Sequence, residues 1–107
     1  WDEYGTVLAL AEHENVLIKI SDVHNRSEGE FPFADMHGAV KLAIDAFGID
    51  RCMWGTGYPG HHRVDHGWLS LEDELRLVRD GFSWLKADER AMLLGDNAMH
   101  IWDWDNR

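Results

Sequence analysis

Two short apolar segments, 16–20 and 51–55, constrain this chain more than anything else in it. Val16-Leu-Ile-Lys-Ile20 is almost wholly apolar and rich in β-branched residues, the composition of a strand covered on both faces. Arg51-Cys-Met-Trp-Gly-Thr-Gly-Tyr-Pro-Gly60 runs a second apolar stretch straight into a turn with three further glycines, after Trp54, and a proline. A buried strand that stops abruptly in a Gly-rich loop is how α/β enzymes bring residues to a site at the carboxyl end of a parallel sheet.

Helical patterns alternate with these strands. Tyr4, Val7, Leu8 and Ala11 fall at i, i+3, i+4 and i+7, behind a cap at Asp2. Residues 21–32 are polar and read as a loop. A second helix starts near 33–35 and carries Met36, Val40, Ala43, Ile44 and Phe47 on one face, with Gly48 as its C-terminal cap. Residues 56–69 form a second long loop. Ser70 then caps a third helix, with Asp73 completing a capping box and Leu71, Leu75, Val78, Phe82 and Leu85 as its core face. A fourth helix begins near Asp88, is interrupted at Gly95, and is recapped by Asp96 for a last short helix, 97–102. The order α-β-loop-α-β-loop-α argues for parallel strands joined by right-handed crossovers. Helix-to-strand joins are short and strand-to-helix loops long, as expected when function sits on one rim. The fold class is therefore α/β.

Length allows one domain at most: the chain has 107 residues. It opens on Trp1 rather than Met, which suggests a truncated or processed start, and 102–107 reads as a natural C-terminus. Ten basic against 20 acidic residues give a net charge of −10, and the acids are spread along the chain. No Lys/Arg stripe is present to neutralise phosphates, so nucleic acid is not an expected partner. No apolar run approaches the ~20 residues of a membrane span, and no membrane partner is expected. The single Cys52, among apolar neighbours, reads as a buried inert thiol in a reducing compartment, hence a cytoplasmic location. Six tryptophans imply large apolar packing surfaces; Trp102 and Trp104 read as closing contacts or as a subunit interface in a homo-oligomer.

Candidate functional residues lie in the two long loops. In 61–66, His62 and His66 stand at i, i+4 with Asp65 between them, a spacing that could share a metal on a helix; Pro59, Gly60 and Gly67 argue against a helix there. His61, His62 and Arg63 are candidates for substrate contact, and a solvated polar loop is the plainer alternative. Thr56 and Tyr58 carry hydroxyls that could meet a substrate, or that serve a turn held by ring packing. Ser21, Asp22 and His24 follow the first strand. Asp22 and His24 could work as an acid/base pair, or Asp22 could cap the turn and leave His24 in solvent. Lys19 either points toward the site or covers helix contacts with its stem. His13 and His37 read as surface residues, and Asn97 as a structural residue bonding backbone.

Four motifs, in order, resemble the amidohydrolase-related (amidohydrolase 2) family of TIM-barrel hydrolases and decarboxylases: Asn15-Val-Leu-Ile-Lys-Ile-Ser21, Phe47-Gly-Ile-Asp-Arg51, Met53-Trp-Gly-Thr-Gly-Tyr-Pro59 and Leu94-Gly-Asp-Asn-Ala98. The resemblance spans about Leu8 to Trp102. It implies that residues 1–107 are the C-terminal part of one (β/α)8 barrel: helix six, strand seven, helix seven, strand eight and closing helices. A complete barrel takes roughly 250 residues. It also implies hydrolysis of lactones or related C–O and C–N bonds, or non-oxidative decarboxylation, of a small carboxylated molecule. The family's metal-binding histidines lie on earlier strands, so zinc or manganese would belong to the full-length protein and no metal is expected on this chain. The family's eighth-strand Asp corresponds to Gly57, which has neither ligand atom nor base. The resemblance thus leaves the catalytic residues unassigned, makes the rest of the barrel a partner, and leaves a non-catalytic homologue that binds a small molecule or partner as the alternative.

Overall fold

A computed structural model describes residues 2–59 and 69–103. The chain forms helix α1 (Asp2–Ala9), strand β1 (Ile18–Ile20), a one-turn helix α2 (Val23–Arg26), helix α3 (Ala34–Phe47), strand β2 (Cys52–Trp54), and helices α4 (Leu71–Arg76), α5 (Ala87–Ala91) and α6 (Asn97–Trp102). The two strands pair in parallel, with Ile18, Lys19 and Ile20 opposite Cys52, Met53 and Trp54. The expected mixed α/β order with a helix crossing between parallel strands is present, and both strands are shorter than the apolar segments that announce them.

The sheet has two unlike faces. Ile18 and Ile20 of β1, with Cys52 and Trp54 of β2, turn toward the helices and join a core of Val40, Ala43, Ile44, Phe47, Leu77, Val78, Phe82, Leu85 and Leu93. Each large apolar side chain buried there contributes about 1.5–3 kcal/mol. Alternation along a strand sends Lys19 and Met53 to the other face, which no described helix covers. The Tyr4 hydroxyl donates to the Ala39 carbonyl and ties α1 to α3.

α3 ends where expected. Gly48 takes φ 83°, and its N–H donates to the Ile44 carbonyl at 2.8 Å. A turn of 3₁₀ helix, Ile49–Arg51, then leads directly into β2.

Several local expectations are corrected. The 21–32 loop holds the α2 turn. Ser70 does cap α4 by accepting from the Asp73 N–H at 3.1 Å, but the Asp73 carboxylate pairs with Arg76, so no capping box closes. α4 continues as a π-helical turn, Leu77–Gly81. Glu74 and Leu77 are buried with Val78 and Phe82, while Leu71 and Leu75 are only partly covered. Gly81 sits at the closest approach: a Cβ there would meet Leu77 Cδ1 at 2.8 Å and the Pro32 Cβ at 2.9 Å.

Gly95 interrupts nothing. Ala91 and Asp96 both keep right-handed helical dihedrals, and 87–102 runs as one helical stretch with a π-helical turn, Met92–Asp96, in its middle. This stretch begins where the Glu89 carboxylate accepts the Lys86 N–H at 2.9 Å.

Candidate functional site at the carboxyl end of the strands

Both strands point their carboxyl ends toward the long loops. At β1 the loop is bent twice by residues in left-handed conformation: Asp22 (φ 60°) and Phe33 (φ 58°). Asp tolerates this region; Phe does not adopt it readily, and such residues are held only where packing over-determines them. Phe33 is buried, 5.8 Å from Phe31 in edge contact and 6.4 Å from the His24 ring. α4 and its π turn lie along this loop. The Arg76 guanidinium stacks 4.1 Å from the Phe31 centroid, and Gly81 admits Pro32.

The same helix supplies the partner of His24. Its Nδ1 lies 3.3 Å from Glu74 Oε1, with the side chains 8% and 2% exposed. The two residues come from helices that follow different strands, α2 after β1 and α4 after β2. His24 is therefore neither solvated nor paired with Asp22, whose exposed carboxylate receives only a 3.5 Å contact from Asn25 Nδ2. Glu74 lies beside the apolar face expected from Leu71, Leu75 and Val78; packing of α4 against the loop after β1 turns its buried side to Glu74, Leu77 and Val78.

At β2, Thr56 Oγ1 accepts the Tyr58 N–H at 3.2 Å, so this hydroxyl shapes the turn. Tyr58 is exposed. Gly57 has φ 70°, a conformation that strains most residues with a Cβ and Asp less than most. His61, His62, Arg63, Asp65 and His66 lie outside the described residues.

Lys19 leans toward this end. A Cβ on Gly55 would stand 2.7 Å from Lys19 Cδ, 2.8 Å from Cγ and 3.1 Å from Cε. The stem therefore lies flat over Gly55, two residues beyond Met53, its register partner.

Other titratable groups serve structure. His37 is no simple surface residue: Trp84 Nε1 donates to its Nδ1 at 3.1 Å, its Nε2 lies 2.6 Å from the Pro32 carbonyl, and its ring meets Phe82 edge-on. With Nδ1 accepting, Nε2 carries the proton and donates to Pro32. Cys52 is fully buried, and burial pushes its thiol up to about 11. Asp35 is held below the usual carboxylate range by donation from the Ser27 hydroxyl and the Glu28 N–H, which ties the loop to α3. Asn97 Nδ2 donates to the Ile49 carbonyl at 2.6 Å and the Cys52 carbonyl at 2.8 Å, as its structural reading expects.

Among the described residues no three His, Cys, Asp or Glu side chains converge as a metal ion requires. These described residues do not by themselves fit a divalent metal.

A parallel αβαβ unit with its polar residues at the carboxyl end of the strands defines a class of α/β enzyme folds. The chain belongs to the amidohydrolase family, whose pattern matches residues 2–104. It is similar to an L-fucono-1,5-lactonase of Burkholderia ambifaria (strain ATCC BAA-244 / DSM 16087 / CCUG 44356 / LMG 19182 / AMMD), with 31% identity over 98 residues, 87% of this chain and 32% of that protein. The chain thus spans about a third of the curated relative it matches. No solved structure matches.

Proposed function

We propose that the whole protein is a (β/α)8-barrel hydrolase that opens a lactone or a related C–O or C–N bond in a small carboxylated molecule. Residues 1–107 would supply helix six through strand eight and the closing helices. Family membership and the lactonase relative support hydrolysis over decarboxylation. A groove of about 510 Å³ along the free edge of β1, lined by Tyr4, Val7, Ile18, Ile20 and Val40 among others, is where the rest of the barrel would continue the sheet. The protein would work in the cytoplasm, and the buried thiol of Cys52 accords with a reducing compartment.

The observation that carries the reading is the His24–Glu74 contact at the carboxyl end of β1. A carboxylate facing Nδ1 fixes the imidazole so that Nε2 is the atom that exchanges protons, and it stabilises the imidazolium once formed. In lactone hydrolysis His24 would take a proton from the attacking water and return it to the leaving ring oxygen. Zinc or manganese would be held upstream of Trp1, where it would polarise the carbonyl or activate water.

The test uses the full-length protein and a panel of five- and six-membered sugar lactones, with and without a further free carboxylate. His24→Gln should lower kcat by about 10²-fold or more with KM little changed, the mark of a group acting in the transition state. Unchanged turnover in His24→Gln would remove the acid–base role.

A second reading is favoured by Gly57: a non-catalytic homologue that binds a small molecule or partner. It expects wild-type protein without lactone turnover. Because position 57 lacks a carboxylate, it further expects Gly57→Asp to strengthen zinc or manganese binding in a calorimetric titration. Equal affinities in folded proteins would place position 57 away from any metal.

A further inference from the structure

The uncovered face of the sheet carries one charge from the strands. β1 reads Ile18-Lys19-Ile20, and both isoleucines go to the helical core, so Lys19 faces away from it with Met53. Its Cγ, Cδ and Cε then run over Gly55, where a Cβ would come within 2.7–3.1 Å of all three. A side chain at 55 would force the stem to shift, so the glycine is what lets it lie flat there. The ammonium, one bond beyond Cε, is delivered to the carboxyl end of the strands. Lys19 is exposed and makes no ion pair or hydrogen bond among the described residues. Gly55-Thr-Gly-Tyr-Pro59, the segment it reaches, contains no acid to neutralise it. In a chain with twice as many acids as bases, a cation with no acidic partner among the described residues is a specific feature.

We infer that Lys19 is an anion anchor, and that its ammonium binds the carboxylate of the substrate above Gly55. The inference rests on reading this end of the strands as the substrate site. A lysine suits single-point anchoring: a compact, strongly hydrated charge on a long stem, with three donors that can rotate to meet one carboxylate oxygen. The glycine at 57 contributes by placing no carboxylate beside that charge. In the opened product of a lactone, a new carboxylate forms, and the same ammonium would hold it until release.

The experiment is calorimetric titration of the full-length protein with gluconate and with its uncharged counterpart, glucitol. Gluconate should bind and glucitol should bind at least about tenfold more weakly, the size of one charge-assisted hydrogen bond. Lys19→Met keeps the stem and removes the charge; it should weaken gluconate about tenfold or more and leave glucitol unchanged. Gly55→Ala keeps the charge and displaces the stem, and should also weaken gluconate. In wild type, the ¹³Cε resonance of Lys19 should shift on adding gluconate, a readout that needs no variant. Absence of gluconate binding, equal affinity in wild type and Lys19→Met, or equal binding of glucitol would overturn the assignment. Lactone turnover measured on the same samples separates the two readings. Turnover absent with Lys19-dependent gluconate binding overturns the hydrolase reading alone, whereas turnover intact with no Lys19 dependence overturns the anchor alone.

Discussion

The two ends of the parallel strands are built differently. At the amino end, polar groups are spent on backbone. Arg51 donates from Nε to the Phe47 carbonyl at 2.8 Å, from Nη1 to the carbonyls of His13 at 2.9 Å and Val16 at 3.2 Å, and from Nη2 to that of Ala11 at 2.9 Å. One guanidinium thus satisfies the end of α3, the turn after α1 and the entry to β1. Asn97 does the same for the entry to β2. At the carboxyl end the side chains instead face one another or open space: His24 against Glu74, and Lys19 over Gly55. The difference teaches where substitutions should cost stability and where they should cost function, a division expected of folds whose sites lie at the carboxyl end.

Arg51→Met tests the amino end most severely. It keeps most of the stem, removes the guanidinium from over the Phe47 ring, and takes a donor from four carbonyls, of which that of His13 still accepts the Val16 N–H at 3.0 Å. Urea unfolding of the full-length protein should show a loss of about 3 kcal/mol, since charged hydrogen bonds contribute about 1.5–3 kcal/mol each and do not add fully. A loss below about 1 kcal/mol would mean that water replaces the guanidinium and that this end is not stapled. Asn97→Ala should follow at about 2 kcal/mol, because the Cys52 and Ile49 carbonyls lose their side-chain donor and Ile49 keeps only the Cys52 N–H. A third substitution, Gly81→Ala, probes the seam between the two ends, because its methyl would strike Pro32 and Leu77; overpacking of this kind costs about 1–3 kcal/mol. Glu74→Gln keeps the shape and an acceptor at the carboxyl end. It should change stability by about 1 kcal/mol while moving the pH profile of turnover, and an unmoved profile would make the His24–Glu74 contact purely structural.

The smallest effect concerns Cys52. With its folded value raised from 9.0 to about 11 by burial, the native state keeps its proton where the unfolded chain loses it. Its contribution to stability is present below pH 9 and falls away as pH rises toward 11. Native protein at pH 8 should therefore react with a thiol reagent only as fast as it opens, and prompt reaction would place Cys52 outside the core.

The sequence by itself determined the parallel α/β order, the two strands, the crossing helix, and the roles of Asn97 and Cys52, because these follow from apolar periodicity and short joins. It could not place Glu74. The helix pattern marks Leu71, Leu75 and Val78 as its face, whereas packing against the loop after β1 buries the neighbouring side, Glu74, Leu77 and Val78, and no local signal announces that choice. Nor could it choose between the two directions open to Lys19. That choice is steric: Ile18 and Ile20 take the core face, Gly55 has no Cβ, and only the pairing of β1 with β2 brings the stem and the glycine together. Gly95 fails as a helix breaker for a related reason. Its own preference costs about 1 kcal/mol, while the burial of Leu93 and the two bonds of Asn97 against β2 outweigh it. Local pattern decides which segments become strands and helices; long-range contact decides which side chains those elements bring face to face.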